Sequence, residues 1–445
     1  MNSITSTHIY PSVPESVPPL LSLTPTHSLY VPSQDSIRSP EAPRIPAMKP
    51  AILGRIRQEC HSGRYEPFYL LDRAKVRERL DIWYKHLPMV PAFYAVKCND
   101  NPAIIQEILA YGRRYKERPV GFDCASEKEI HQVLNAGGKA EQVLFANPVK
   151  NAGHIISASN RGVRWMTLDS EEEVDKIAQV CPGAEVMLRL KVDDTHSAIQ
   201  LGLKTGAWEH ECPGILRRLC DRKVNLVGVC FHVGSGSMDS EAFTKAIALA
   251  RGVFDQAREM GHKPYILDIG GGFSGDAKRV WGKVQNEPFA QVARTIRQAL
   301  SKYFPEKGIR VMAEPGRFIA SGTCVYVTQV IGKKVVRGAQ GEGQLRMYYM
   351  NDGAMGSFPS IEEDSLPCAP VPVRSLGKTR PSYPSILWGP TCAPEDGIME
   401  NVLLPEMHVG EWYAWRAMGA YMASKASTFN GFPHAEVITM DSEES

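Results

Sequence analysis

Net charge is almost absent from this sequence of 445 residues: 51 Lys and Arg stand against 49 Asp and Glu, leaving +2. That balance excludes a polybasic nucleic-acid binder and an acidic-tail protein. Cysteine is sparse, ten in all, and no two form a CxxC pair, so neither a zinc ribbon nor a redox pair is signalled. A reducing compartment, the cytoplasm, is the expected location. No run of about 18 apolar residues exists, so no membrane contact is expected. No HxH or HExxH pattern occurs, so no metal site is expected either. Charge is scarcest at the start, where the first 40 residues carry only Glu15, Asp35 and Arg38. Ten of the 32 prolines fall in residues 1–50. Such a composition cannot build a core, and residues 1–45 read as a disordered extension. Prolines interrupt any signal-peptide core, and the first arginine comes too late for a transit peptide.

What is present is ordinary for a soluble globular chain: 43% hydrophobic and 22% charged residues. Two folded domains fit the length, because a barrel reaches roughly 250 residues as one unit. From about residue 65, short apolar runs alternate with helical patterns. The runs are 92–98, 119–124, 143–148, 164–169, 185–190, 227–233, 266–270 and 309–314. Ser126 with Glu129, and Ser170 with Glu173, have capping-box spacing at two of the intervening helices. Eight strand–helix repeats predict a (β/α)8 barrel over residues 76–317. Beyond residue 318 the helical pattern gives way to strand-like stretches, 323–336, 345–350, 385–388 and 411–415, which read as a C-terminal β-rich domain over 318–445. Residues 46–75 precede the first barrel strand and are expected to join that domain.

The runs close on Lys97, Asp123, Asn147, Asp169, Arg189, His232, the glycines from Gly270, and Glu314. Barrel active sites are built at the C-terminal strand ends, so these residues are site candidates. Three neighbouring ends carry phosphate-binding parts. Gly270-Gly271-Gly272 lets backbone N–H groups approach an anion. His232-Val-Gly-Ser235-Gly adds a hydroxyl, and Glu314-Pro-Gly316-Arg317 adds a guanidinium. A phosphate site together with a strand-end lysine suggests pyridoxal phosphate, whose aldehyde the lysine binds covalently.

Several stretches together carry a family resemblance. They are Pro91-Ala-Phe-Tyr-Ala-Val-Lys-Cys-Asn99, Gly121-Phe-Asp-Cys-Ala-Ser126, Phe231-His-Val-Gly-Ser-Gly236, Asp268-Ile-Gly-Gly-Gly-Phe273, Glu314-Pro-Gly-Arg317, Asn351-Asp-Gly353, Trp388-Gly-Pro-Thr-Cys392, Met418-Gly-Ala-Tyr421 and Ala426-Ser-Thr-Phe-Asn-Gly-Phe432. In order and spacing, over about residues 50–440, the chain resembles the eukaryotic ornithine decarboxylases. The resemblance implies an alanine-racemase-like barrel, a β domain, pyridoxal phosphate, an amino-acid substrate and a head-to-tail homodimer with two sites at its interface. By resemblance, Lys97 is the Schiff-base lysine, with Asp123 beside it. His232 is the imidazole against the cofactor ring and Glu314 the partner of the ring nitrogen. Ser235, Gly272, Arg317 and Tyr421 are the phosphate ligands, and Gly271, Gly316 and Arg189 are further candidates for the cofactor site. Cys392 is the proton donor reaching in from the partner subunit. The other nine cysteines read as small core hydrophobes.

The departures lie at the far end of the substrate. Where the family has aspartate after the cysteine, binding the distal ammonium, this chain has Ala393. A second family aspartate corresponds to Asp364, but its neighbour is Glu363 in place of tyrosine, and Met355 replaces an aromatic residue. Glu395 or Asp396 are candidates to restore the lost charge. The expected activity is decarboxylation of L-ornithine or a related, including N-substituted, diamino acid in polyamine or alkaloid biosynthesis, as in fungal alkaloid pathways such as that to loline. The alternative is a catalytically silent regulator of the same fold, like the antizyme inhibitors. Such a regulator would be expected to lose cofactor ligands, whereas this chain keeps Lys97, His232, Glu314, Arg317 and Cys392.

Overall fold

A computed structural model describes residues 49–275, 288–337, 344–359, 369–374 and 380–442. The described chain begins with α1 (Lys49–Ser62) and β1 (Phe68–Asp72), then α2 (Arg73–His86). The barrel strands follow: β2 (Ala92–Ala95), β3 (Val120–Cys124), β4 (Val143–Phe145), β5 (Trp165–Leu168) and β6 (Glu185–Leu190). A short ribbon of β7 (Ser197–Ile199) and β9 (Ser235–Ser237) flanks β8 (Asn225–Phe231), and β10 (Ile266–Asp268) and β11 (Arg310–Met312) complete the set. Helices α3 (Pro102–Arg114), α4 (Glu127–Asn135), α5 (Ala152–Asn160), α6 (Glu171–Val180), α7 (Cys212–Arg222), α8 (Glu241–Glu259) and α9 (Phe289–Tyr303) connect them.

The eight strands β2, β3, β4, β5, β6, β8, β10 and β11 are parallel neighbours in that order. The ring closes where Ala92 meets Ala313: Phe93 N–H donates to Ala313 O at 2.8 Å, and Ala313 N–H donates to Pro91 O at 3.2 Å. Strands covered on both faces read as near-continuous apolar runs, and this is why eight runs were visible in the sequence. Phe93, Leu144, Met187, Val227, Ile266 and Met312 form a buried cluster inside the barrel, while the outward side chains pack under the helices. Helix starts follow local chemistry. Ser126 and Ser170 accept the N–H of Glu129 and Glu173 at 3.3 Å, caps of a kind that stabilise by about 1 kcal/mol each.

The β domain follows α10 (Arg317–Ala320). Its strands are β12 (Cys324–Arg337), β13 (Gln344–Met350), β14 (Val371–Pro372), β15 (Ser382–Trp388), β16 (Gly397–Pro405), β17 (Trp412–Trp415) and β18 (Glu436–Met440). β12 is the spine of one mixed sheet: its first half lies between β1 and β17, and its second half pairs with β13. β1 runs parallel to β18, so strands from both ends of the described chain join this sheet. Asp72 ties these ends together, accepting Ala74 N–H as the cap of α2 and Ser442 N–H at 3.1 Å. β16 has no counterpart in the sequence pattern. Asn401 within it takes φ +54, and the register against β15 shifts twice, so the two-residue alternation that marks a strand is broken. The cysteines also differ from the expectation. Cys60 and Cys220 are exposed, although Cys98, Cys124, Cys181, Cys212, Cys230 and Cys324 are buried. The exposed pair sit on the outer surface of helices, which the sequence cannot distinguish from the inner face at a single position. Among the described residues, no helix is long and apolar enough to cross a membrane.

Candidate active site

β2 runs directly into a 3-10 turn, Val96–Cys98, whose flanking residues are buried and whose central residue is Lys97. The neighbouring strand places Asp123 level with Ala95, and the Lys97 ammonium lies against the Asp123 Oδ2. Asp123 is fully buried, whereas 40% of the Lys97 side chain is open, facing the cavity it lines. Burial opposes the charge on Lys97, but the carboxylates of Asp123 and Glu314 outweigh it and hold the amine above its ordinary range. The second Asp123 oxygen, Oδ1, is buried without a hydrogen-bond partner.

Opposite stand the ends of β8, β10 and β11. His232 Nδ1 accepts the Gly234 N–H at 3.0 Å, so the neutral ring carries its proton on Nε2. Burial, then the charges of Arg189 and Lys97, push this imidazole well below its usual pKa and keep it neutral. The glycine run passes between His232 and Glu314. A Cβ on Gly271 would come within 2.6 Å of His232 Nε2 and 3.0 Å of Glu314 O. Gly272, at φ +106, would meet Val233 at 2.6 Å, so neither position admits a side chain. Phe273 anchors the run, stacked on Phe243 at 5.1 Å and edge-on to Trp83 at 4.8 Å. At the end of β10, the fully buried Asp268 accepts Gly270 N–H on Oδ1 at 2.9 Å, while its Oδ2 has no hydrogen-bond partner among the described residues. Burial is the main cause that raises the carboxyls of Asp268 and Glu314 above their usual range, Asp268 to about 7, with the Asp123 charge adding to each and the Asp268 charge adding on Glu314.

The end of the cavity that carries the guanidinium and hydroxyls comes from three directions. Arg317, the first residue of α10, donates from Nη2 to Ser235 Oγ at 3.5 Å. Its guanidinium lies 5.0 Å from the ring centre of Tyr421. Tyr421 follows β17 in the β domain, has the uncommon φ of +58, and is tied to the barrel by its N–H to Cys98 O at 2.8 Å. Thus Lys97, Asp123, His232, Ser235, Gly271, Gly272, Glu314, Gly316, Arg317 and Tyr421 line one cavity, with Ala95 and Phe273. Arg189 lies at the end of β6, and its charge bears on His232, Asp268 and Glu314, but it does not line this cavity. Asp268 carries no role in the sequence reading; the available signal is a carboxyl that closes an apolar strand two residues before the glycine run.

The substrate-end residues lie elsewhere. Cys392 is exposed on the β15–β16 connection, its N–H donating to Asn430 Oδ1 at 2.9 Å, and neither it nor Ala393 lines the cavity. Asp396 is 1% exposed, its carboxylate accepting the N–H groups of Met355 and Thr391, both at 2.9 Å. Glu363 and Asp364 lie outside the described residues.

A lysine facing buried carboxyls, a guanidinium and hydroxyls over a glycine cradle, and an unpartnered Asp123 oxygen together fit pyridoxal phosphate. Fold and site therefore define a barrel enzyme of the pyridoxal-phosphate class. The comparisons are consistent and narrower. Residues 73–321 match the family model "Pyridoxal-dependent decarboxylase, pyridoxal binding domain". The chain is 40% identical to mouse ornithine decarboxylase over 397 residues, 86% of this chain and 82% of the mouse protein. It is 38% identical to Antizyme inhibitor 2 of Xenopus laevis, covering 84% and 80% of the two chains. Among solved structures, the arginine decarboxylase of Paramecium bursaria Chlorella virus, bound to agmatine, superposes with a TM-score of 0.80 at 35% identity, covering 88% of this chain and all of the viral one. The chain belongs to the ornithine decarboxylase-like family of pyridoxal-dependent decarboxylases, and pyridoxal 5'-phosphate is its cofactor.

Proposed function

We propose that this enzyme decarboxylates L-ornithine, or a related diamino acid altered at its distal end, to the corresponding amine. The reading extends to a homodimer in the cytoplasm, with Cys392 of each subunit serving the other's site. What supports it most is that the Lys97–Asp123 pair, Glu314 and Arg317 line one cavity. Arg317, Ser235, Tyr421 and the Gly272 backbone would hold the cofactor phosphate, and Lys97 its aldehyde carbon. When bound, pyridoxal phosphate supplies an electron sink for the pair of electrons left on the substrate α-carbon as carbon dioxide departs.

The chain's residues supply the rest. Asp123 keeps Lys97 positioned and charged until it yields a proton. The buried Glu314 carboxyl stores a proton for a ring nitrogen. Neutral His232 offers a flat face without adding a competing positive charge. Cys392 returns a proton to the α-carbon. Arg189 adds positive potential beneath the site. At the distal end, Ala393 offers no carboxylate, which favours a substrate whose far end is less cationic, bulkier or itself acidic; Glu363 and Asp364 are the remaining candidates there. The decisive experiment incubates holoenzyme with a panel of diamino acids and identifies carbon dioxide and the matching amine by mass spectrometry. The likeness to an antizyme inhibitor favours one other reading, a silent regulator. A purified protein without a visible cofactor absorption band and without carbon dioxide release from any panel member would favour it.

A further inference from the structure

Three segments of the β domain meet around Cys392. The turn after β13 carries Met355, the β15–β16 connection carries Cys392 and Ala393, and residues 426–432 cover both. One buried carboxylate links the first two. Asp396 Oδ1 accepts the Met355 N–H and Oδ2 accepts the Thr391 N–H, each at 2.9 Å. Its backbone closes the same loop, with Gly389 N–H donating to Asp396 O at 2.7 Å and Asp396 N–H to Ala393 O at 3.2 Å. Two glycines make room for it. A Cβ on Gly353 would come within 2.2 Å of Oδ1, and one on Gly389 within 2.3 Å of Oδ2. The third segment adds Ser427 Oγ to Met355 O at 2.5 Å and Asn430 to the Cys392 N–H.

A carboxylate that is 1% exposed and shared between two backbone donors is committed to the chain. Presenting it to a substrate ammonium would strip two buried N–H groups of their acceptor, a cost of about 1–3 kcal/mol each. We infer that Asp396 is a positioning residue: it clasps the Cys392 loop to the Met355 turn and sets the thiol, and it does not bind the distal end of the substrate. The inference rests on the proposed role of Cys392 as proton donor. Proton transfer needs a donor within hydrogen-bond reach, and a misplacement of about 1 Å can cost on the order of a hundredfold. By the same geometry, the distal pocket receives no charge from Asp396.

The test uses holoenzyme carrying Asp396→Asn, or Gly389→Ala, which displaces the carboxylate without replacing it. Turnover of ornithine or of the best panel substrate is measured beside the rate and pH dependence of Cys392 alkylation by iodoacetamide, read by peptide mass spectrometry. In both variants kcat should fall by about tenfold or more while KM moves less than about threefold. Cys392 alkylation should change rate, with the cofactor absorption and the dimer mass kept. A tenfold rise in KM at unchanged kcat in Asp396→Asn would show a substrate ligand and overturn the inference. So would normal turnover and normal alkylation in Gly389→Ala, whatever the fate of the Asn variant. A Cys392→Ala control separates the two readings. If it keeps full kcat, the proton-donor role falls, and the clasp is then judged by alkylation alone: an altered rate sustains it and an unchanged rate overturns it.

Discussion

Lys97 and Asp123, 26 positions apart in the chain, form an ion pair at the mouth of the barrel, with one Asp123 oxygen left unpartnered behind it. Because β2 and β3 are adjacent and in register at Ala95 and Asp123, the pair is set by strand geometry. If Lys97 holds the cofactor covalently, as proposed, removing its amine removes that hold. Lys97→Ala should lose the visible absorption of lysine-linked cofactor and at least about a hundredfold in turnover. Absorption spectra and carbon dioxide release check this; an unchanged spectrum would refute the assignment.

If each site draws Cys392 from the partner, neither single variant works alone but a mixture does. Lys97→Ala chains mixed with Cys392→Ala chains should recover roughly a quarter of wild-type activity. Half the dimers are then mixed and each has one intact site. Subunit exchange is followed by native mass spectrometry; full exchange with no recovered activity would rule out a shared site.

Ala393 bears on specificity. One charge-assisted hydrogen bond to an ammonium is worth about 1.5–3 kcal/mol, or one to two decades in kcat/KM. Ala393→Asp should therefore improve ornithine turnover at least about tenfold, chiefly through KM, and should harm a native substrate bearing a distal carboxylate. Steady-state kinetics on both decide it. A wild type already efficient on ornithine, with no response to the substitution, would leave plain ornithine decarboxylation.

His232 predicts a pH effect. Its pKa is depressed in the folded state by burial and by Arg189 and Lys97, so below its unfolded pKa of about 6.5 the unfolded chain binds a proton that the folded chain refuses. Stability from this residue is thus present above about pH 6.5 and is lost as pH falls. The raised Asp268 and Glu314 act in the opposite sense, gaining stability on acidification, and are common to wild type and variant. Between pH 6.5 and 5.5, cofactor-free His232→Gln should be spared about 1 kcal/mol of the acid destabilisation that wild type suffers. Parallel chemical denaturation at the two pH values measures it; equal losses would show that the imidazole titrates normally.

Much of this molecule was legible in its residues. The barrel appears as eight apolar runs because strands shielded on both faces need no polar alternation, and helix starts appear at Ser126 and Ser170 because caps are local chemistry. Gly271 and Gly272 were legible as a cradle because no other residue tolerates such close approach. What only the tertiary structure decided is which distant groups meet. The closure of Ala92 on Ala313, β1 lying beside β18, Tyr421 delivered from the β domain to Arg317, and the Asp268 charge bearing on Glu314 all join segments far apart in the chain. The Asp396 carboxylate, read in the sequence as a spare charge, is spent on the backbone of two loops. Periodicity and capping record interactions a few residues long, whereas these pairings depend on packing whole elements together, for which no short stretch of sequence carries a signal.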